Sequence, residues 1–199
     1  MRNSHFLKFD TFYHIYSRGN NREDIFTEPR NYEFFIRQYQ KYINPVANTL
    51  AYCLLKNHFH LLVWIKSEEE IVTLKKSDKE IEVNSNFPSL QFSYLLNSYA
   101  KAINKSNGRT GSLFQRPFGR KSVFSNEQLF RTVAYIHQNP VKHQFAAFSE
   151  DWIWSSYHEG LSKQYKIISS ECIKIIFGSM ENYLAIEYPM DGIEDIDDY

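Results

Sequence analysis

Cysteine is scarce in this chain. There are two, Cys53 and Cys172, and their spacing matches no metal-ligand pattern. Cys53 falls in an apolar strand and reads as a reduced core residue, which argues against a disulfide scaffold or a cysteine-held metal. No apolar run reaches the roughly 18 residues that suggest a membrane span, and no signal-peptide pattern opens the sequence. The expectation is a soluble, cytoplasmic protein. Net charge is absent too, since 23 Lys/Arg balance 23 Asp/Glu. That zero conceals an asymmetry. Residues 1–150 carry 20 basic against 13 acidic side chains, a balance of +7, and residues 151–199 carry 3 against 10, a balance of −7. Between Lys101 and Lys121 acidic residues vanish while six basic ones occur: Lys101, Lys105, Arg109, Arg116, Arg120 and Lys121. A local basic field attracts polyanions even on a neutral molecule.

Aromatics are plentiful, with 16 Phe, 14 Tyr and 3 Trp among 199 residues. That excludes a disordered composition and allows one domain with a substantial core plus an appendage. Thr11–Ser17, TFYHIYS, reads as a strand ending at the turn RGNN. Tyr32, Phe35, Ile36, Tyr39, Tyr42 and Ile43 form one apolar helical stripe, with Thr27 as its cap, Pro29 in its first turn and Asn44-Pro45 at its end. The run from Asn48 to Lys66 is too long for one strand and divides near Lys56-Asn57 into a hairpin or a sharply bent pair. Residues 67–87 are charged, lack periodicity and read as a surface insertion. Phe92, Leu95, Leu96, Tyr99 and Ile103 mark a second helix that stops before Asn107-Gly108. A glycine-punctuated basic loop then leads to a short strand, Lys121–Phe124. Ser125 and Gln128 form a capping box for a third helix, buried through Leu129, Val133 and Ile136 and ended by Pro140. The order β-α-β-β-α-β-α is a split-βαβ, ferredoxin-like α+β layout, an antiparallel sheet with helices on one face. Residues 1–150 make this domain. Residues 151–199 form a C-terminal extension, with tryptophans laid against the domain by a loop, one helix from Ser170 to about Phe177, and a disordered acidic tail.

The segment KNHFHLLVWI poses the chemical question. In a strand, His58 and His60 project from one face with Cα atoms about 6.6 Å apart, and Phe59 enters the opposite layer. Two parallel imidazoles can converge on one divalent ion, although a hydrogen-bonded pair without a ligand has the same spacing. In RTVAYIHQNP, Tyr135 and Asn139 stack one helical turn apart, about a quarter-turn from the apolar stripe, where their polar tips would meet a cleft at the core's edge.

NHFHLLVW resembles the His-hydrophobic-His motif of the HUH single-tyrosine transposases, among them small insertion-sequence transposases and REP-associated tyrosine transposases. YHIYSRGNNREDIF is similar to that family's first strand and loop, and GSLFQRPF to the segment before its last strand. AYIHQNPV resembles the helix bearing the family's tyrosine, and WSSY the stretch after that helix. The matches keep the family's order over roughly residues 11–158. The resemblance implies a ferredoxin-like fold, Tyr135 as nucleophile, His58 and His60 as metal ligands, and Asn139 as a third polar ligand. It implies Mg²⁺ or Mn²⁺, and cleavage and rejoining of single-stranded or hairpin-forming DNA through a 5′-phosphotyrosine. Phosphate contacts would come from Lys101, Lys105, Arg109, Arg116, Arg120 and Lys121, with Phe114 and Phe118 available to stack bases, while Arg18 and Arg22, near a strand end, would read a hairpin or its foot. In this family the tyrosine serves its own chain's histidines or a dimer partner's, and the sequence leaves both open. Two other readings also stay open: a nucleic-acid-binding module without turnover, and a metal-dependent nuclease that uses water. The chain departs from the family in residues 67–87 and from about Ile167 onward.

Overall fold

The computed structural model describes residues 6–75, 83–164 and 166–187. Four strands, β1 (Thr11–Arg18), β2 (Ala47–Leu54), β3 (His58–Ile65) and β4 (Gly119–Val123), form one antiparallel sheet in the order β2-β3-β1-β4. β3 inserts between β1 and β2, so the β1-helix-β2 unit is split by an antiparallel strand, as the ferredoxin-like reading requires. The hairpin turn falls at Leu55–Asn57, where Leu55 N–H donates to His58 O at 2.8 Å.

Alternation along β3 decides what each face carries. Phe59 packs its ring on Phe35 of α1 (Pro29–Tyr42). Phe35 in turn meets Tyr99 of α3 (Phe87–Ser106), so these two helices cover the Phe59 face. The expectation put all helices on one face. Instead α4 (Asn126–Lys142) lies on the other, with Tyr135 against His14 and His60. The apolar stripe of α4 alone could not reveal this, because both faces of the sheet are buried.

Several boundaries differ from the sequence reading. The cap of α1 is Glu28, and Asn31 Oδ1 accepts from Glu28 N–H, Thr27 N–H and the Thr27 hydroxyl, so Thr27 is a partner of the cap rather than the cap. Within the insertion, Glu68–Lys75 form helix α2, whose Ile71 is buried beside Val46 and Phe87. The rest of that insertion, residues 76–82, lies outside the described residues, as does the acidic tail from 188 onward. β4 starts two residues early, at Gly119, and Phe124 lies outside it, exposed. Ser125 accepts from Gln128 N–H, but the Gln128 side chain reaches Phe124 N–H, one residue before the cap.

Pro140 does not end α4. It sits inside the helix, which runs on to Lys142. Proline lacks the N–H that would bond to Ile136 O, but its own carbonyl accepts from Phe145 N–H at 2.8 Å while Gln144, at φ 59°, donates to Val141 O. This is a Schellman closure with glutamine in the position usually held by glycine.

The extension builds more than one helix: α5 (Ser156–Ser162), α6 (Ser170–Phe177) and α7 (Met180–Leu184). It covers the outer edge of β2. Leu54 N–H donates to Trp154 O, Ser169 N–H donates to Thr49 O, and bridges form at Cys53–Ser155 and Thr49–Ile168. WSSY, expected in a loop, spans the start of α5, because Ser155 caps it. The tryptophans do lie on the domain, Trp154 stacked on Tyr32 at 4.6 Å and Trp152 donating to Leu54 O. Glu159 is the clasp: Oε1 accepts from the backbone N–H groups of Lys166, Ile167 and Ile168, and Oε2 accepts from Tyr52 Oη. Ile167, Ile168, Ile173, Phe177 and Tyr183 belong to the same core as the sheet.

Candidate active site

Strand pairing brings the site together. Tyr16 is opposite His60, Arg18 opposite His58, and His14 opposite Leu62, so these side chains share one face. The ring centroids of His58 and His60 are 5.2 Å apart. Helix α4 crosses this face. Its Tyr135 ring lies 5.3 Å from that of His60, and the His143 ring lies 4.8 Å from that of His58. Tyr135, Asn139 and His143 are spaced by four residues on one helical face, so Asn139 sits between the two contacts, opposite the histidine pair. Tyrosine and both histidines belong to one chain.

Tyr135 is 1% exposed and Asn139 0%, so they occupy the buried seam between helix and sheet rather than the edge of the core. A quarter-turn from the apolar stripe is still interior here, because that flank of α4 lies on the sheet, with Tyr135 against His14 and His60. Asn139 Nδ2 donates to Tyr135 O at 3.0 Å, and Oδ1 is buried with no hydrogen-bond partner among the described residues. His58 Nδ1 lies 2.6 Å from Asn57 Oδ1. An amide oxygen only accepts, so Nδ1 carries the proton and Nε2 presents its lone pair. His60 Nδ1 lies 3.0 Å from His14 Nε2.

Two nitrogen donors and one amide oxygen suit a divalent ion that tolerates both, Mn²⁺ more readily than the oxygen-preferring Mg²⁺. An amide oxygen buried without a hydrogen-bond partner among the described residues, on the helical face whose Tyr135 meets His60, fits such an ion. Among the described residues no three His, Cys, Asp or Glu side chains are placed to hold a metal.

The expected contact residues do not form one surface. A pocket of about 210 Å³ is lined by His58, His60, Arg18 and Arg116. It joins a groove of about 1340 Å³ between α3 and the basic loop, which holds Lys101, Arg116 and Arg120. The loop is stitched to the end of β1 by Gln115 N–H to Arg18 O and Asn20 N–H to Leu113 O. Arg22, Lys105, Arg109 and Lys121 line neither space. Arg109 pairs with Glu23 and donates to Asn104. Lys121 is opposite His14 and Arg120 opposite Ile15, so consecutive basic residues leave the sheet on opposite faces. Arg120 lies over the Phe118 ring at 4.1 Å, and burial lowers its guanidinium pKa. Phe114 and Phe118, expected to stack bases, are core residues at 3% and 7% exposure, packed on Tyr99 and Phe92.

Three neighbours of the site escaped the sequence reading. His14 is one; β1 lies beside β3 in a ferredoxin-like order, so a histidine in an otherwise aromatic strand was a legible signal. Tyr16 is another, its ring 5.4 Å from that of His14 and 6.0 Å from that of His60. Lys142, two helical turns past Tyr135, holds its ammonium 5.3 Å from that ring's centroid.

No family model matches the chain. A Haemophilus influenzae protein provisionally named a REP-associated tyrosine transposase is 27% identical over 118 residues, 58% of this chain. This chain spans 62% of that relative's length. A solved structure, a REP-associated tyrosine transposase bound to a REP hairpin, superposes with a TM-score of 0.60 over 85% of this chain and 90% of that one. In part of its sequence and in its fold, this chain is similar to the REP-associated tyrosine transposases. At 17% identity to the solved structure, the likeness to it is one of fold. No described helix is long and apolar enough to cross a membrane.

Proposed function

We propose that this chain cleaves and rejoins single-stranded DNA through a covalent link between Tyr135 and a 5′-phosphate. In this reading His58, His60 and Asn139 hold a divalent cation. The observation that carries it is the convergence within one chain of a phenol, two imidazoles and a buried amide oxygen with no hydrogen-bond partner among the described residues.

A phosphodiester is anionic and repels nucleophiles. When bound, the cation would neutralise a non-bridging oxygen of the scissile phosphate and orient the in-line attack. The residues do the rest. Tyr135 leaves its enclosed position past His60, which lines the small pocket, and its Oη attacks phosphorus. The bond from phosphorus to the 3′ oxygen breaks, and that oxygen leaves as a hydroxyl, taking up a proton as the phenol gives one up. Lys142 supplies positive charge beside the ring on which negative charge develops. A second 3′-hydroxyl then attacks the phosphotyrosine, restores a diester and frees Tyr135. The ester conserves bond energy, so no external energy source is needed. Arg18 and Arg116 at the pocket, with Lys101 along the groove, meet the phosphates that flank the reacting one. The hairpin held by the solved relative makes a hairpin foot the first substrate to try.

The test is a labelled single-stranded oligonucleotide incubated with the protein and Mn²⁺, then run on a denaturing protein gel. The expected result is a covalent adduct with the wild type and none with Tyr135→Phe. Cleavage without adduct would assign the reaction to water, and neither product would leave a binding module. His58→Ala should lose cleavage by orders of magnitude while binding DNA, and unchanged metal-dependent cleavage in that variant would remove the ion from the site.

A further inference from the structure

The two histidines are not held alike. The proton on His58 is fixed by Asn57, an amide oxygen that can only accept. His60 Nδ1 faces another imidazole nitrogen, His14 Nε2, at 3.0 Å in a buried position. Either nitrogen could donate, and the two arrangements have opposite consequences. If His14 donates, His60 Nδ1 accepts, its remaining proton is on Nε2, and Nε2 cannot bind a cation. If His60 Nδ1 donates, His60 Nε2 presents a lone pair, as His58 Nε2 does.

We infer that His14 is a positioning residue that accepts the Nδ1 proton of His60 and so holds His60 Nε2 as a cation ligand. The inference rests on the proposed function. His14 is fixed for this task on three sides: β1 pairs with β3 along its length, the Tyr16 ring lies 5.4 Å away, and the Tyr135 ring meets it edge-on at 5.9 Å. At 2% exposure it admits little water to compete for the same proton. The imidazole next to a metal ligand thus does what a carboxylate or carbonyl does behind a metal-binding histidine elsewhere, fixing tautomer and ring orientation.

Two measurements on the full chain test this. The first is Mn²⁺ binding, followed by calorimetry and by electron paramagnetic resonance, in the wild type, His60→Ala, His14→Phe and His14→Gln. His14→Phe should bind about 10–100-fold more weakly, and His14→Gln, whose amide oxygen can accept, should recover most of the affinity. The second is the ¹⁵N shifts of His60 in the metal-free wild type, which need no variant to fold. They should show Nδ1 protonated and Nε2 bare. Wild-type affinity in His14→Phe, or a His60 protonated on Nε2, would overturn the inference while leaving the proposed function intact. A wild type that binds no Mn²⁺ would overturn the proposed function and this inference with it.

Discussion

His137 makes the chain's stability depend on pH in a way that can be worked out from its contacts. Its Nε2 lies 2.9 Å from Tyr183 Oη and 3.2 Å from Ser156 Oγ. Both hydroxyls donate their own protons elsewhere, Tyr183 to Leu50 O and Ser156 to Tyr52 O. They can therefore only accept from His137, so the ring proton is on Nε2. Nδ1 is buried and has no partner among the described residues, so a second proton there would put an unmatched charge in the core. Burial accordingly pushes the pKa down from 6.5 to about 3. The unfolded chain binds a proton near pH 6.5 and the folded chain does not, so between those values the unfolded state holds more protons. The stabilisation is full above pH 6.5 and is lost as pH falls toward 3. At about 1.4 kcal/mol per pH unit, about 2 kcal/mol disappears between pH 7.5 and 5.0, with an upper limit of about 5 kcal/mol by pH 3. For a chain of this size 2 kcal/mol corresponds to roughly 4–8 °C in Tm. The assay is urea unfolding followed by tryptophan fluorescence from pH 7.5 to 5.0, on the wild type and His137→Gln. The glutamine amide can still donate to both hydroxyls and has no proton to gain. The wild type should lose about 2 kcal/mol more than the variant over this range. Parallel pH profiles would refute the reasoning, because any acid sensitivity left would then come from groups the two proteins share.

The packing sets three further outcomes. A Cβ on Gly119 would fall 2.2 Å from the Tyr16 ring, so Gly119→Ala should cost about 1–3 kcal/mol in a denaturation experiment and displace Tyr16 from His60, visible in the His60 ring shifts. Glu159→Ala strands three backbone N–H groups and the Tyr52 hydroxyl. It should cost at least about 3 kcal/mol and increase proteolysis within the extension. Arg116 is exposed and lines both the pocket and the groove. Arg116→Ala should weaken single-stranded DNA binding and reduce the slope of log affinity against log salt by about 0.7, whereas an unchanged slope in a salt titration would remove this surface from the binding site.

The sheet was legible because its signals are local. Alternation in TFYHIYS and the length of the NTLAYCLLKNHFHLLVWIK run yield β1, β2 and β3, and the split-βαβ order then places β3 in the middle. The same alternation puts His58 and His60 side by side with Phe59 behind them. What periodicity could not supply was which side of the sheet α4 takes, since a stripe of Leu129, Val133 and Ile136 fits either face. That choice decides whether Tyr135 meets the histidines. The loop aromatics failed for a related reason: Phe114 and Phe118 sit among basic residues in sequence, but the backbone bonds at Arg18 and Asn20 draw the loop inward. Arg120 and Lys121 are adjacent in sequence and separated by the sheet itself. Helix α2 and the extra helices of the extension were hidden because each is short and takes its stability from contacts distant in sequence.

The edges of the sheet are unequal, and this bears on how two copies could meet. β2 is already flanked by the chain's own extension, so a visiting strand finds its outer side taken. Among the described strands that leaves β4, five residues long and carrying Arg120 and Lys121. Two copies zipped together there would bring like charges across the seam and drive each other off. Joining through a continuous eight-stranded sheet is therefore disfavoured, and self-association would have to use helices or loops instead.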